Sequence, residues 1–426
     1  MSYEDPFGLA LSTQSEPAAE AYNEALLRFL QVQDGALEAA IRSCDHDPMF
    51  ALSWCVRGLA HRTAGDIPTS MVELSHATEL VDAHGVTDRE RSHVTLFKHL
   101  ATGATAAFES SLLAHLRIWP RDATTAYFVT FFYNIMSPAP DRDARMLEVA
   151  ESVTPAYGHD WFGQSLLAFA CEENRQFHRA GDLAALSLTQ RPTNGRAAHT
   201  LAHVRLETGS ATVGAPWLKR WTTDWIDPGP FLCHLRWHGA LFELALGDTA
   251  AAIKSLDEVM AWTGRALAVQ SDGPSLAWRL HLDGHATSHW PALVSFACPV
   301  GPAFMNVHRA LALAGLGDTD GLEVSATAHE ALGPENATAA VVAGLCRALA
   351  AFVTDDYGSA ADEFGRLRPS IRTVGGSHAQ TEVFHDTHIA ALERSGRTAE
   401  AGHWLRDRLA ARASVRDERW LERVAG

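Results

Sequence analysis

LGDTAAAIKSLDEVM, residues 246–260, is the stretch that decides the fold. Gly247-Asp248 reads as a chain reversal, with the glycine giving a left-handed helix cap. Behind it, small residues and then an apolar stripe at helical spacing describe one amphipathic helix. The preceding phrase, FLCHLRWHGALFELALGD (231–248), is apolar at helical spacing too, so the two together predict a helical hairpin. The same wording recurs along the chain as AGDIPTSMVELSHATEL (64–80), DDYGSAADEFGRLR (355–368) and SGRTAEAGHWLRDRLA (395–410). Helices of the type ALSWCVRGLAHRT (51–63) or AFMNVHRALALAGL (303–316) pair with these phrases. Ala60, Ala251 and Ala360 are the small residues expected to let paired helices approach closely.

A hairpin of this kind buries its apolar face only by stacking on the next one, which is the pattern of tetratricopeptide-like repeats. The spacing drifts from the regular period of about 34 residues, so the expectation is an all-α, tightly curled superhelix, an α-solenoid, running through residues 1–426. Pro155 and Pro302 mark candidate sub-boundaries, and the segment from Ala261 to Pro302 breaks the rhythm as an elaborated helix plus loop.

Composition narrows the functional classes. The chain has 426 residues, 47% hydrophobic and 20% charged, enough to bury a large core. Its net charge of −16, from 51 acids against 35 bases with no basic cluster, disfavours nucleic acid and anionic membranes as partners. The N-terminus has no basic region before an apolar run, so it does not read as a signal peptide, and no apolar run is long enough to span a bilayer. The six cysteines are scattered without framework spacing, as free thiols in a reducing compartment would be, and a cytoplasmic location is expected.

Chemistry concentrates in the histidines. AAHTLAHVRLETG (197–209) carries His199 and His203, and HLRWHGALFELALGD (234–248) carries His234 and His238. Each pair is i, i+4, so both rings share one helix face about one turn apart. Two such helices side by side would aim four imidazoles into one volume. One functional reading is a divalent metal, zinc or iron, held by His199, His203, His234 and His238, with Asp272 or Glu207 completing the set. Another is acid–base catalysis on a small molecule by His199, His203, His234, His238, Asp272 and Arg279, without metal. The bland reading is polar rings packed between repeats; it suffices for one pair, whereas two pairs together weigh evenly between packing and a site. No H-E-x-x-H, P-loop or G-x-S-x-G pattern occurs, so those enzyme classes are excluded.

Other candidates surround these. Arg279, in SLAWRLHLDGH (275–285), sits on an apolar helix and reads either as an anion fork or as a structural partner of Asp272. GGSHAQTEVF (375–384) reads as a glycine turn and a Ser377 N-cap, with Gln380, Phe384 and His388 on neighbouring helix faces and an anion at the helix start as the functional option. Trp217, Trp221 and Trp225 recur every four residues as an aromatic ridge leading into the His234 helix. His285 and His289 fall in a loop, and Cys233 points away from His234.

These phrases, with TDRERSHV (87–94), SDGPSLAWRLHLDG (271–284), FMNVHRALALAGLGD (304–318) and VGGSHAQTEVF (374–384), occur in the order found in the tetratricopeptide repeat protein 38 family, which the chain resembles from about Met49 to Leu421. The match covers His199 and His203, then His234, Trp237 and His238, then Asp272 and Arg279. Asn306 and His308 match with altered spacing, and Ser377, Gln380 and Phe384 match as well. Trp237, Asn306, His308, Ser377, Gln380 and Phe384 are accordingly ligand-lining candidates. Leu235-Arg236 and Val204-Arg205 depart from the family wording, which implies a rebuilt rim. The resemblance implies the fold and the place of the site, and no agreed reaction, while the Ala/Arg/Gly-rich composition points to a bacterial member. Two functions follow as expectations: a small-molecule enzyme with a histidine-rich inner pocket, or a non-catalytic scaffold for a peptide or protein. Convergence of the candidates on one spot favours the first.

Overall fold

The computed structural model describes residues 3–295, 302–333 and 335–426. Among them are 23 α-helices joined by short turns, and the only β pairing is two isolated bridges, Glu4 with Ala10 and Gln33 with Pro228. The chain is all-α and tetratricopeptide-like. Cys298 and part of the irregular 261–302 segment lie outside the described residues; the rest of that segment forms helices Val269–Leu282 and Trp290–Val294.

The Gly-Asp phrase has a physical basis in two parts. Gly247 takes φ +72, a left-handed turn, and the aspartate after it caps the next helix. Asp66, Asp248, Asp318 and Asp356 each accept a hydrogen bond from the backbone N–H three residues on, satisfying a donor the helix cannot pair itself. In the 355–368 repeat the left-handed residue is Asp355 (φ 62) instead of a glycine. Ala60 and Ala360 are buried as expected, while in the 246–260 hairpin Ala252 takes the fully buried place and Ala251 is half-buried.

Each helix packs on its successor, and alternate helices also touch one another. Helices Trp161–Glu173, Gly195–Glu207, Leu232–Ala245, Val269–Leu282 and Ala303–Leu316 form one such row. A row of alternate helices is the inner wall of a superhelix, because each hairpin contributes one helix to it. The row does not stay open. Helix His378–Arg394 packs back on Val269–Leu282, and the last helix, Val415–Ala425, on Leu232–Ala245.

Polar bonds fasten this return. The Gly376 N–H donates to the Asn134 carbonyl at 2.7 Å, and Arg142 donates to the carbonyls of Asn134 and Gly376. Arg372 bridges Asp143 (2.7 Å) and Glu173 (3.0 Å). Gly375 has φ +99, and a Cβ there would lie 2.7 Å from the Ile135 carbonyl oxygen, a backbone atom with nowhere to go. Gly375→Ala is therefore expected to lower stability by about 1–3 kcal/mol, read as a lower urea midpoint. An unchanged midpoint would show that this contact does not hold the superhelix closed.

Two large apolar clusters form the interior, one running from Phe7 to Ala180 and the other from Ala202 to Val424. Helix Gly195–Glu207 lies where they meet: Val204 packs on the first cluster, while Ala202 and Leu206 belong to the second. No helix among the described residues is long and apolar enough to cross a membrane.

Candidate metal centre

Two neighbouring helices of the inner row place the four histidines. Asn194 caps the first, accepting from the N–H groups of Arg196 and Ala197, and the i, i+4 spacing turns His199 and His203 toward helix Leu232–Ala245. That helix returns His234 and His238. His203 and His238 are 1% exposed and His234 6%, while His199 is half-buried.

The four rings meet through one kind of atom. His199 Nε2 lies 2.9 Å from His203 Nε2 and 2.9 Å from His234 Nε2, and His238 Nε2 lies 3.2 Å from His234 Nε2. One ligand atom from each ring falls within 4.8 Å of all the others. A tetrahedral ion with nitrogen bonds of 2.0–2.1 Å has nitrogen–nitrogen edges of about 3.3 Å, so the spacing fits one such ion.

Protons do not satisfy this arrangement. Burial holds His199 and His238 well below the ordinary imidazole range and His203 down to about 4, so these rings are neutral at pH 7 and carry one N–H each. His234 Nδ1 lies 2.8 Å from Asp272 Oδ2, which places a proton between them. His199 Nε2 then faces two other Nε2 atoms with at most one hydrogen to offer. At least one short nitrogen–nitrogen contact lacks a proper donor and acceptor, whereas a single cation at the centre satisfies all four lone pairs.

Among the described residues, two buried acids beside the tetrad have no cation of their own. Asp272 is 0% exposed, and its side-chain partners are His234 and Ser271. Glu172 lies 3.3 Å from His203 Nδ1 but off hydrogen-bond geometry, and neither of its oxygens has a hydrogen-bond partner. Burial, reinforced by Glu207, pushes Glu172 up to about 8. Among the described residues neither Asp272 nor Glu172 has a Lys or Arg within ion-pair distance, while Glu173 and Glu207 are paired with Arg372 and Arg412. At about 8 the Glu172 carboxyl is largely protonated at pH 7, and a divalent ion held beside it would favour its ionised form. Asp272 stands behind His234, hydrogen-bonded to the nitrogen opposite the ring junction, which is how outer carboxylates orient metal-bound histidines. Asp272 and Glu207 were expected to complete the metal set; in the structure Asp272 backs a ring, and Glu207 pairs with Arg412 at 3.4 Å.

The other expected residues divide. Trp237 is fully buried and stacks on His234 with centroids 5.3 Å apart, walling the tetrad. Arg279 does not pair with Asp272: it meets Asp386 at 3.6 Å, donates to Ser275 and to the Ala379 carbonyl, and lies 5.9 Å over the Trp237 ring. Its surroundings are structural. His308 Nδ1–H donates to the Phe304 carbonyl (2.7 Å), outside the tetrad, and Asn306 meets His329 at 3.0 Å. Ser377 and Gln380 form a reciprocal capping box, and Phe384 is core. The start of that helix is thus filled by its own cap rather than held open for an anion. Trp225 falls one residue beyond helix Ala211–Asp224; it packs on Trp221 at 4.9 Å and donates to the Thr193 carbonyl.

Sequence reasoning missed Glu172 and Glu173. The signal was present: WFGQSLLAFACEE (161–173) is apolar nearly all round, so acids ending it are buried. It also missed a second buried cluster in the N-terminal half, where Asp122 lies 3.0 Å from His93, 3.3 Å from His115 and 3.2 Å from Arg89. Arg89 already supplies that carboxylate with a cation. A separate cleft of about 620 Å³, lined in part by Glu109, Leu116, Tyr133 and Arg145, shares no residue with the tetrad.

No protein-family model matches the chain. Among solved structures it is similar to an IFIT1 monomeric mutant with Gppp-AAAA, at 11% identity over 99% of this chain and 97% of that one, with a TM-score of 0.40. The human IFIT1 dimer with m7Gppp-AAAA gives 10% identity over 96% and 97%, with a TM-score of 0.39. Yeast Tom70 gives 11% over 96% and 95%, with a TM-score of 0.34. Likeness at this level carries no argument about what this chain binds or does.

Proposed function

We propose that this protein binds one divalent transition-metal ion, of the zinc class, through His199, His203, His234 and His238, and presents it to a small molecule. The observation that carries this reading is the meeting of four Nε2 atoms at 2.9–3.2 Å contacts that protons cannot satisfy. Four nitrogens this close suit zinc, and an ion held by His199, His203, His234 and His238 would polarise a small molecule's oxygen by taking it as a fifth ligand. Three rings are sealed in the core. His199 is half-buried, so access lies on its side, between Phe169 and Phe231, whose rings lie 5.6 and 5.2 Å from it. On the resemblance of its sequence phrases, we read the chain as a member of the tetratricopeptide repeat protein 38 family, as one continuous superhelix working in the cytoplasm. A peptide-binding scaffold is compatible with the fold, but no observation singles out a groove for it.

Metal analysis of protein purified without chelator tests the reading. One equivalent of zinc or iron per chain is expected, and His203→Ala with His238→Ala should remove it. A wild-type protein that neither carries nor takes up a divalent ion would overturn it.

A further inference from the structure

Close to His199 is an arginine that the fold does not explain. Arg196 precedes it by one helical turn, so the two side chains share a face. It lies in the first turn of its helix, where the backbone dipole disfavours a positive charge. Among the described residues no carboxylate lies within ion-pair distance of it, although most buried arginines near the tetrad, such as Arg372 and Arg412, are paired with acids. Its side chain is half-buried, with the guanidinium 3.8 Å from the Tyr127 ring centroid and Nη2 donating to Thr130 Oγ1 at 3.0 Å. Those contacts orient the fork and leave its charge unanswered. Burial lowers its affinity for its proton with no anion nearby to restore it.

On the side of the tetrad where His199 is reachable, there is thus one fixed, uncompensated cation. A divalent ion in the tetrad would add positive charge to the same corner. Phe169 and Phe231 flank His199 and give the approach apolar walls.

Resting on the metal reading above, we infer that the small molecule this site receives is an oxyanion, a carboxylate or a phosphate, anchored by the Arg196 guanidinium on the His199 side of the metal. The shared chemistry is a pair of anionic oxygens, which a guanidinium holds through two parallel N–H bonds and an ammonium does not. Arg196 would be a binding residue and Tyr127 and Thr130 its positioning residues.

Cobalt(II) loaded into the full-length protein in place of zinc gives a visible spectrum that reports its ligands. Titration with sodium acetate in one arm and inorganic phosphate in the other, at constant ionic strength, should change that spectrum saturably in at least one arm. The arm that responds at the lower concentration identifies the class. Arg196→Gln should leave cobalt uptake and the anion-free spectrum as in the wild type and weaken the anion response about tenfold or more. Arg196→Lys, which keeps the charge, should recover part of the response. A spectrum indifferent to both anions overturns the inference, as does an Arg196→Gln response equal to wild type or an Arg196→Lys response equal to wild type. Failure of the wild-type protein to take up cobalt would instead overturn the metal reading beneath it.

Discussion

Stripping the metal from the wild-type protein is expected to lower its melting temperature, and replacing His203 and His238 by alanine is expected to abolish that dependence. An ion bound only by the folded chain stabilises it by about 4 kcal/mol when present at a thousand times its Kd. For a chain of this size that corresponds to a shift of about 4–5 °C. Without the ion, the alanines relieve a crowd of lone pairs and cost little beyond the ~0.5–3 kcal/mol of ordinary substitutions. Circular dichroism melts of both proteins with zinc and with chelator make the comparison. If the alanine variant melts far below the chelated wild type, with zinc uptake unchanged, the rings are structural packing and the metal centre is wrong.

The second large effect lies at the opposite end of the chain. Asp386, 1% exposed, is faced by Arg408, by Arg416 at 3.0 Å and by Arg279 at 3.6 Å. Asp386→Ala leaves the buried Arg279 and the half-buried Arg408 and Arg416 without this acid, and a loss of about 3–5 kcal/mol is expected. The same network sets the response to acid. Burial alone would raise Asp386 and Glu382, but the arginines override it: Arg412 and Arg408 bring Glu382 down to about 2, and Arg416, Arg408 and Arg279 hold Asp386 well below the usual carboxylate range. A carboxyl whose folded value is depressed contributes its full stability above the unfolded value, about 4. That contribution drains away as the pH falls through the folded value. The share of stability carried by Asp386 and Glu382 should be lost between about pH 4 and 2, read as a shallower fall of the urea midpoint over that range in Asp386→Ala than in the wild type. An acid profile equal to wild type in that variant would show that Asp386 carries none of the charge-linked stability.

Much of the fold was legible because hairpins are local. The Gly-Asp turn, the aspartate cap and the apolar stripe all lie within one short phrase, so residues 246–260 declare their own structure. The histidine pairs were legible for the same reason, since i, i+4 spacing fixes both rings on one face before any packing is known. What sequence did not disclose is pairing across distance. Arg279 was matched to Asp272, seven residues upstream, yet its acid is Asp386 on a helix that folds back from the C-terminus. Glu207 was read as a metal-side carboxylate, yet Arg412 claims it. In both cases a charged residue has several candidate partners of the right sign, and only the closure of the superhelix chooses among them.

That closure has a consequence for the order in which the protein is made. Arg142 and the Gly376 carbonyl are 234 residues apart in the chain, and Glu207 and Arg412 are 205 apart. At a synthesis rate of about 5–20 residues per second, Arg412 leaves the ribosome roughly 10–40 s after Glu207. Neighbouring hairpins stack in far less time than that. Both histidine helices are therefore made and able to pair while the C-terminal helices that will pack against this part of the row do not yet exist. During that interval the nascent chain exposes the four converging imidazoles more widely than the finished fold does, and the last helices, once made, leave the His199 side as the approach.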